Sequence, residues 1–248
     1  MPQTQLKASS PFTLQQNWEL SWTYISKQTD KNGMINCTKL EKKILHLINT
    51  IGVIDEVTLS RLFSITNKKK FKKFLKKMSV EHKIVRHNLT NEKQTNRLCT
   101  LGIIGSVIVE NEFYEPNYWD EYNVSDVIKR MLFFRLYNAF SEMDEHTQVN
   151  FAPSPFIGAI NVNDRPINVY VLRGSPNDIL NYFKWKKNYI KDRIIIITEN
   201  LRHVTPLFPF IKDSKVRITT DKDLLANNSI RDMFYFLDDD SGEIYKEA

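Results

Sequence analysis

Thr66-Asn67-Lys68-Lys69-Lys70-Phe71-Lys72-Lys73-Phe74-Leu75-Lys76-Lys77-Met78 holds seven lysines between positions 68 and 77. The run is patterned. Phe71, Phe74, Leu75 and Met78 fall at i, i+3, i+4 and i+7, the spacing of one helical face. At about 100° per residue, Lys69, Lys73 and Lys76 project away from that face, and Lys70, Lys72 and Lys77 flank them. Thr66 or Asn67 supplies a short side-chain oxygen that caps the free amides of the first turn. The spacing predicts a helix pinned to a core on one side and presenting a lysine ridge on the other. A solvated face is the plainest account of a charge run. Six or seven like charges with no interleaved acid repel one another, however, and an anionic partner relieves that repulsion.

The flanks give the ridge a setting. Residues 38–52 read as a helix with Leu40, Ile44, Leu47, Ile48 and Ile51 on one face, Thr38 as cap and Gly52 as stop. Residues 55–63 read as a short second helix capped by Asp55, and Ser64-Ile65-Thr66 is a tight connector. After the lysine helix come two extended runs, Lys83–Thr90 and Thr95–Leu101, joined by the polar turn Asn91-Glu92-Lys93-Gln94. Three helices followed by a hairpin is the order of a winged helix. In that arrangement the third helix enters the major groove of duplex DNA and the hairpin reaches the adjacent backbone. Lys68, Lys69, Lys70, Lys72, Lys73, Lys76 and Lys77 are the expected phosphate contacts of the helix, and Arg86, His87, Lys93 and Arg97 those of the wing. Thr66, Asn67 and Arg86 are the candidate base readers; for each, a capping or solvated role competes with base contact.

Charge is distributed to match. Residues 38–97 carry 15 Lys+Arg against 5 Asp+Glu, while residues 98–248 carry 17 against 22, within a chain of net charge +6. The basic charge belongs to one segment, as expected for a nucleic-acid module joined to a domain of another purpose. The chain has 248 residues and is 42% hydrophobic, enough for real cores. With seven glycines and neither GxGxxG nor a Walker motif, no phosphate loop is available. Two cysteines, Cys37 and Cys99, make neither a metal motif nor a disulfide framework. No charged-then-apolar leader opens the chain, and no apolar run approaches the ~20 residues of a membrane span. The expectation is a cytoplasmic protein that does not enter a membrane.

The organisation expected is an N-terminal extension (1–36), the winged helix (37–110), a linker (111–122) and an α/β domain (123–248) for dimerisation or partner contact. In the extension, Leu14 to Ile25 reads as a short helix carrying Trp18 and Trp22, as core packing or as a dimer contact. In the last domain, residues 124–143 read as a long helix capped by Ser125. Phe156–Val162, Ile167–Leu172, Arg193–Thr198 and Lys215–Thr219 read as strands, and Pro176–Tyr189 as a helix. Val204–Ile211 is ambiguous because Pro206 and Pro209 interrupt it, and Asp223–Leu237 reads as helical at both ends. This order gives an α/β sandwich.

The order of elements in the second part resembles the restriction-endonuclease-like core, and the whole chain resembles the replication-relaxation family of plasmid and mobile-element proteins. The residues that carry the likeness are Leu59-Ser60-Arg61-Leu62-Phe63, Phe71 to Arg86, Thr100-Leu101-Gly102 and Asn123-Val124-Ser125-Asp126-Val127. The resemblance implies a winged helix ahead of such a core, and work in replication, transfer or gene control of a plasmid, phage or other mobile element. The nuclease version of the core needs an acid near its second strand and an acid-x-lysine on its third, to hold Mg²⁺ on phosphate oxygens. Pro153-Ser154-Pro155 and Tyr170-Val171-Leu172 stand at those places. The expectation is therefore a degenerate core, no enzyme activity, no cofactor and no metal. The alternatives are a nuclease or nicking accessory with a displaced site, and a ligand-sensing transcription regulator. Homodimerisation would match paired DNA half-sites. The five histidines have no ligand spacing, and Asp144-Glu145-His146, Asp120-Glu121 and Asp238–Asp240 read as solvated acids. Lys184, Lys186, Lys187 and Lys191, alternating with Tyr182, Phe183 and Trp185, read either as a single-strand stacking surface or as an amphipathic helix.

Overall fold

Short strands and capped helices alternate through the first hundred residues. The structure is a computed structural model that describes residues 10–26, 36–186, 191–212, 214–226, 229–238 and 243–246. β1 (Glu19–Ser21) is followed by α1 (Lys39–Ile51), β2 (Val53–Asp55), α2 (Glu56–Leu62), α3 (Lys68–Val80), β3 (Ile84–Thr90) and β4 (Thr95–Leu101). α1 starts in a capping box: Thr38 Oγ1 accepts from the Glu41 N–H and the Glu41 carboxylate accepts from the Thr38 N–H. It ends at Gly52, whose φ of 96° suits glycine and whose N–H returns to the Ile48 carbonyl at 2.7 Å. Asp55 caps α2 through the Thr58 N–H. These boundaries follow the sequence because their signals are local.

The N-terminal extension differs from expectation. Residues 14–25 form no helix; β1 pairs antiparallel with β3, Leu20 opposite Leu89, at the edge of a sheet ordered β1-β3-β4-β2. Trp18, Leu20 and Trp22 are spaced by two, so on a strand all three share one face, and all three pack against the core. The spacing of the two tryptophans alone fits a helix as well. The edge of β3 decides the matter by offering unpaired backbone groups.

Beyond β4, α4 (Ile103–Ile108) and a 3₁₀ turn over Tyr118–Glu121 lead to α5 (Val124–Met143). The cap of α5 is Asn123, in a box with Asp126, and not Ser125, which lies inside the first turn. β5 (Gln148–Asn150), β6 (Gly158–Val162), β7 (Arg165–Leu172), α6 (Asn177–Trp185) and β8 (Arg193–Thr198) follow. After a 3₁₀ turn over Leu201–Leu207 come α7 (Phe208–Ile211), β9 (Lys215–Thr220), α8 (Asp221–Leu225), β10 (Tyr235–Leu237) and β11 (Ile244–Lys246). The seven strands form one sheet ordered β11-β10-β9-β8-β7-β6-β5, parallel across β7, β8 and β9 and antiparallel elsewhere. The expected helix over Asp223–Leu237 is reduced to α8 and a 3₁₀ turn at Ile230–Met233. Its last residues become β10, because Tyr235 pairs with Ile218 at the edge of β9.

The central strands are covered on both faces, as a continuous apolar run requires. Val169, Val171, Ile195 and Ile197 share a cluster with α5, whereas Tyr170, Leu172, Ile194 and Ile196 pack with Ile179 and Phe183 of α6. The fold is mixed α and β with two sheets. The apolar cluster that holds α1 to α3 and the first sheet continues through α5 into the second. Residues 111–122 are accordingly a packed connection rather than a free linker: Trp119 is fully buried, and Tyr118 Oη donates to the Gly52 carbonyl at 2.6 Å. Arg130 of α5 lies over the Tyr122 ring and donates to the Ile51 carbonyl at the end of α1. Among the described residues no helix is long and apolar enough to cross a membrane.

Candidate nucleic-acid interface

The lysine helix is assembled as its spacing predicts. Asn67 Oδ1 accepts from the Lys70 N–H at 2.9 Å and caps α3. Phe71, Leu75 and Met78 are buried, and Phe74 is half-buried with its ring stacked on Phe71. Lys68, Lys69, Lys70, Lys72, Lys73, Lys76 and Lys77 are all exposed. Among the described residues only Lys77 has a carboxylate partner, Glu81 at 3.5 Å. Thr66 is exposed beside the cap; Asn67 spends its side-chain oxygen on the helix start and is not free to read a base through it.

The hairpin sorts the remaining candidates by strand parity. Arg86 pairs with Cys99, His87 with Leu98, and Asn88 with Arg97. Neighbouring residues on a strand point to opposite faces, so Arg86 and His87 cannot both face one duplex. His87 is the one withdrawn. It is fully buried, with Trp22 and Trp119 rings at 4.7 and 4.9 Å. Its Nδ1 accepts from the Thr23 N–H at 2.9 Å, so Nε2 carries the hydrogen and donates to Thr100 Oγ1 at 2.7 Å. Burial pushes its pKa down from the usual 6.5 to about 3. His87 is a neutral core side chain, and its expected contact with a phosphate is corrected.

Arg86 is corrected as well. Its guanidinium is held by Glu56 of α2 and is only 23% exposed. The pairing with α2 marks the face of the hairpin that carries Arg86, Asn88 and Arg97 as the one turned toward the helices. Asn88 shares that face with the exposed Arg97, but its Oδ1 is buried and has no hydrogen-bond partner. At the tip, Asn91 Oδ1 accepts from the Lys93 and Gln94 N–H groups, and Asn91 Nδ2 donates to Gln16 Oε1 at 2.7 Å. The N-terminal segment thus steadies the turn that presents Lys93.

The second sheet offers no such ridge. Pro153 and Ser154 are exposed ahead of β6, and Tyr170, Val171 and Leu172 are buried in β7. Among the described residues, no three His, Cys, Asp or Glu side chains are grouped to hold a metal ion. At the C-terminal ends of the parallel strands two carboxylates are tied internally: Asp221 to Arg173, and Asp223 to Lys246 and the Thr220 hydroxyl. On α6, Phe183 is buried and Tyr182 and Lys186 share Asp192, which leaves Trp185 as the exposed aromatic. Lys187, Asp239 and Asp240 lie outside the described residues. A cleft of about 350 Å³ opens where the two sheets meet, lined by Tyr114, Tyr118, Tyr122 and Arg130 with Phe113 and Phe151 at its rim.

No protein-family model, no curated protein and no solved structure matches the chain. The reading of the site therefore rests on its geometry and chemistry.

Proposed function

We propose that this chain binds double-stranded DNA without catalysing a reaction on it, through α3 and the β3–β4 turn acting as a winged helix. The observation that carries the reading is the α3 ridge. Seven lysines stand exposed on a helix whose opposite face is locked in the core, and six of them have no carboxylate within reach among the described residues. Such a surface suits phosphates, which need point charges rather than a shaped pocket. Lys93 and Arg97, both exposed, extend it along the hairpin.

We further propose, on the short motifs Leu59–Phe63 and Asn123–Val127 alone, that the chain works on a plasmid, phage or other mobile element, in replication, transfer or gene control. In this reading the second sheet is a degenerate restriction-endonuclease-like core that contacts a second copy or another protein. Its apolar third strand and the internal pairing of Asp221 and Asp223 favour that role over hydrolysis of phosphodiesters, which draws on free carboxylates and Mg²⁺.

The test is a salt titration of binding to a short duplex of random sequence. If about six phosphates are neutralised, log affinity falls with log salt at a slope of about −5. Lys69→Ala, Lys73→Ala and Lys76→Ala together are expected to reduce the slope by about three with an unchanged melting temperature. A flat response in the wild type would end the proposal and leave α3 as a solvated face or a dock for an acidic protein.

A further inference from the structure

Ligands in sheets with parallel strands commonly sit outside the C-terminal ends of those strands. Here that place is filled. Arg173, just past β7, donates to both oxygens of Asp221 at 2.6 and 2.7 Å, and Ser10 donates to the same carboxylate. At the opposite ends of β7, β8 and β9 the described residues surround a recess of about 390 Å³. Its walls include Arg193, Lys215 and Arg217, and its apolar surface comes from Ile167, Ile195 and Phe236.

Three features separate this recess from an ordinary solvated surface. The cations converge by register: Arg193 is paired with Lys215, and Ile195 with Arg217, so Arg193, Lys215 and Arg217 share the face of Ile195. Like charges placed directly across two strands repel, and among the described residues no acid lines the recess and none of the three has a carboxylate partner. They also gather in a part of the chain, residues 98–248, where acids outnumber bases 22 to 17. Finally, Arg217 is oriented in advance, its guanidinium lying 5.6 Å from the Phe234 ring and 5.4 Å from the Phe236 ring. A planar, pre-set guanidinium beside two further cations matches the oxygens of a phosphate. The apolar wall and the volume, within the range of about 300–1,000 Å³ typical of small-molecule sites, match a base attached to it.

We propose that this recess binds the phosphate of a nucleotide unit, either a free nucleotide or one unit of a nucleic-acid strand, with the base against the apolar wall of Ile167 and Ile195. The strand case rests on the DNA-binding reading; the free-nucleotide case stands apart from it.

The full chain is titrated calorimetrically with ATP at low salt, and the duplex salt titration is repeated on an Arg193→Gln, Lys215→Gln double variant. Saturable ATP binding that weakens at least about tenfold in the double variant, and persists in the α3 triple-alanine variant, supports a free-nucleotide site. No ATP binding, with a duplex salt slope lowered by about two in the double variant, supports a strand contact. If the double variant changes neither, the proposal is overturned, whether or not α3 binds DNA. Lys215→Glu, on an exposed side chain, replaces the double variant if the latter melts lower; it should abolish the same signal, and an unchanged signal likewise overturns the proposal.

Discussion

Arg86 sets Nε and a terminal nitrogen on one oxygen of Glu56, at 2.7 and 2.5 Å, and so bolts β3 to α2. Glu56 is nearly buried, and removing it strands a largely desolvated guanidinium. Glu56→Ala is expected to cost about 3 kcal/mol in a urea titration. Arg86→Met should leave the salt dependence of duplex binding unchanged, since the guanidinium serves the fold. A shallower slope in that variant would return Arg86 to the DNA surface.

His87 makes stability depend on pH with a defined sign. The unfolded chain takes up a proton at this side chain below about pH 6.5, whereas the folded protein resists protonation until about pH 3. The stability that comes from keeping the ring neutral is fully present above pH 6.5. It is lost progressively as pH falls toward 3, at up to about 1.4 kcal/mol per unit. Urea midpoints followed from about pH 7 to about pH 4 should therefore fall more steeply for the wild type than for His87→Gln. Equal slopes would mean that His87 is solvated in solution.

The two phenylalanines of α3 should separate core from ridge. Phe71 is 5% exposed and Phe74 only half-buried. Phe71→Ala is expected to cost about 3–5 kcal/mol, and Phe74→Ala distinctly less, each read from denaturant unfolding. Once allowance is made for the folded fraction, neither should alter the salt slope of duplex binding, because neither carries charge.

Gly52 closes α1 under the connection between the two sheets. A Cβ there would lie 2.3 Å from Tyr122 Oη, on a backbone with φ of 96°. Strain and crowding add, so Gly52→Ala is expected to cost about 3 kcal/mol. Because Tyr122 also carries Arg130, near-ultraviolet dichroism of the tyrosines should change with it. A variant as stable as wild type would show that the connection yields freely.

Much of the first half was legible because its signals are short-range. Thr38, Asp55 and Asn67 each cap the helix that follows within three residues, Gly52 stops α1, and a polar four-residue turn separates β3 from β4. The same local logic failed at Ser125, where Asn123 two residues earlier makes the better box with Asp126. In the candidate interface, exposure of the lysines followed from helical period, and strand parity was enough to show that Arg86 and His87 could not both face one duplex. Which of the two faces the core was not legible, because Trp22 and Trp119 come from far along the chain.

By itself, the sequence determined α1 to α3, the hairpin and the outward lysine ridge, since cap, period and turn chemistry act over a few residues. The buried character of β8 was equally plain from its unbroken isoleucines. Tertiary structure alone decided that residues 19–21 and 235–237 become strands, that residues 111–122 are packed, that Arg86 belongs to Glu56, and that Arg193, Lys215 and Arg217 meet. Each of these depends on a partner distant in sequence. A strand edge or a desolvated charge takes its state from what the fold brings against it, and residue order alone does not carry that.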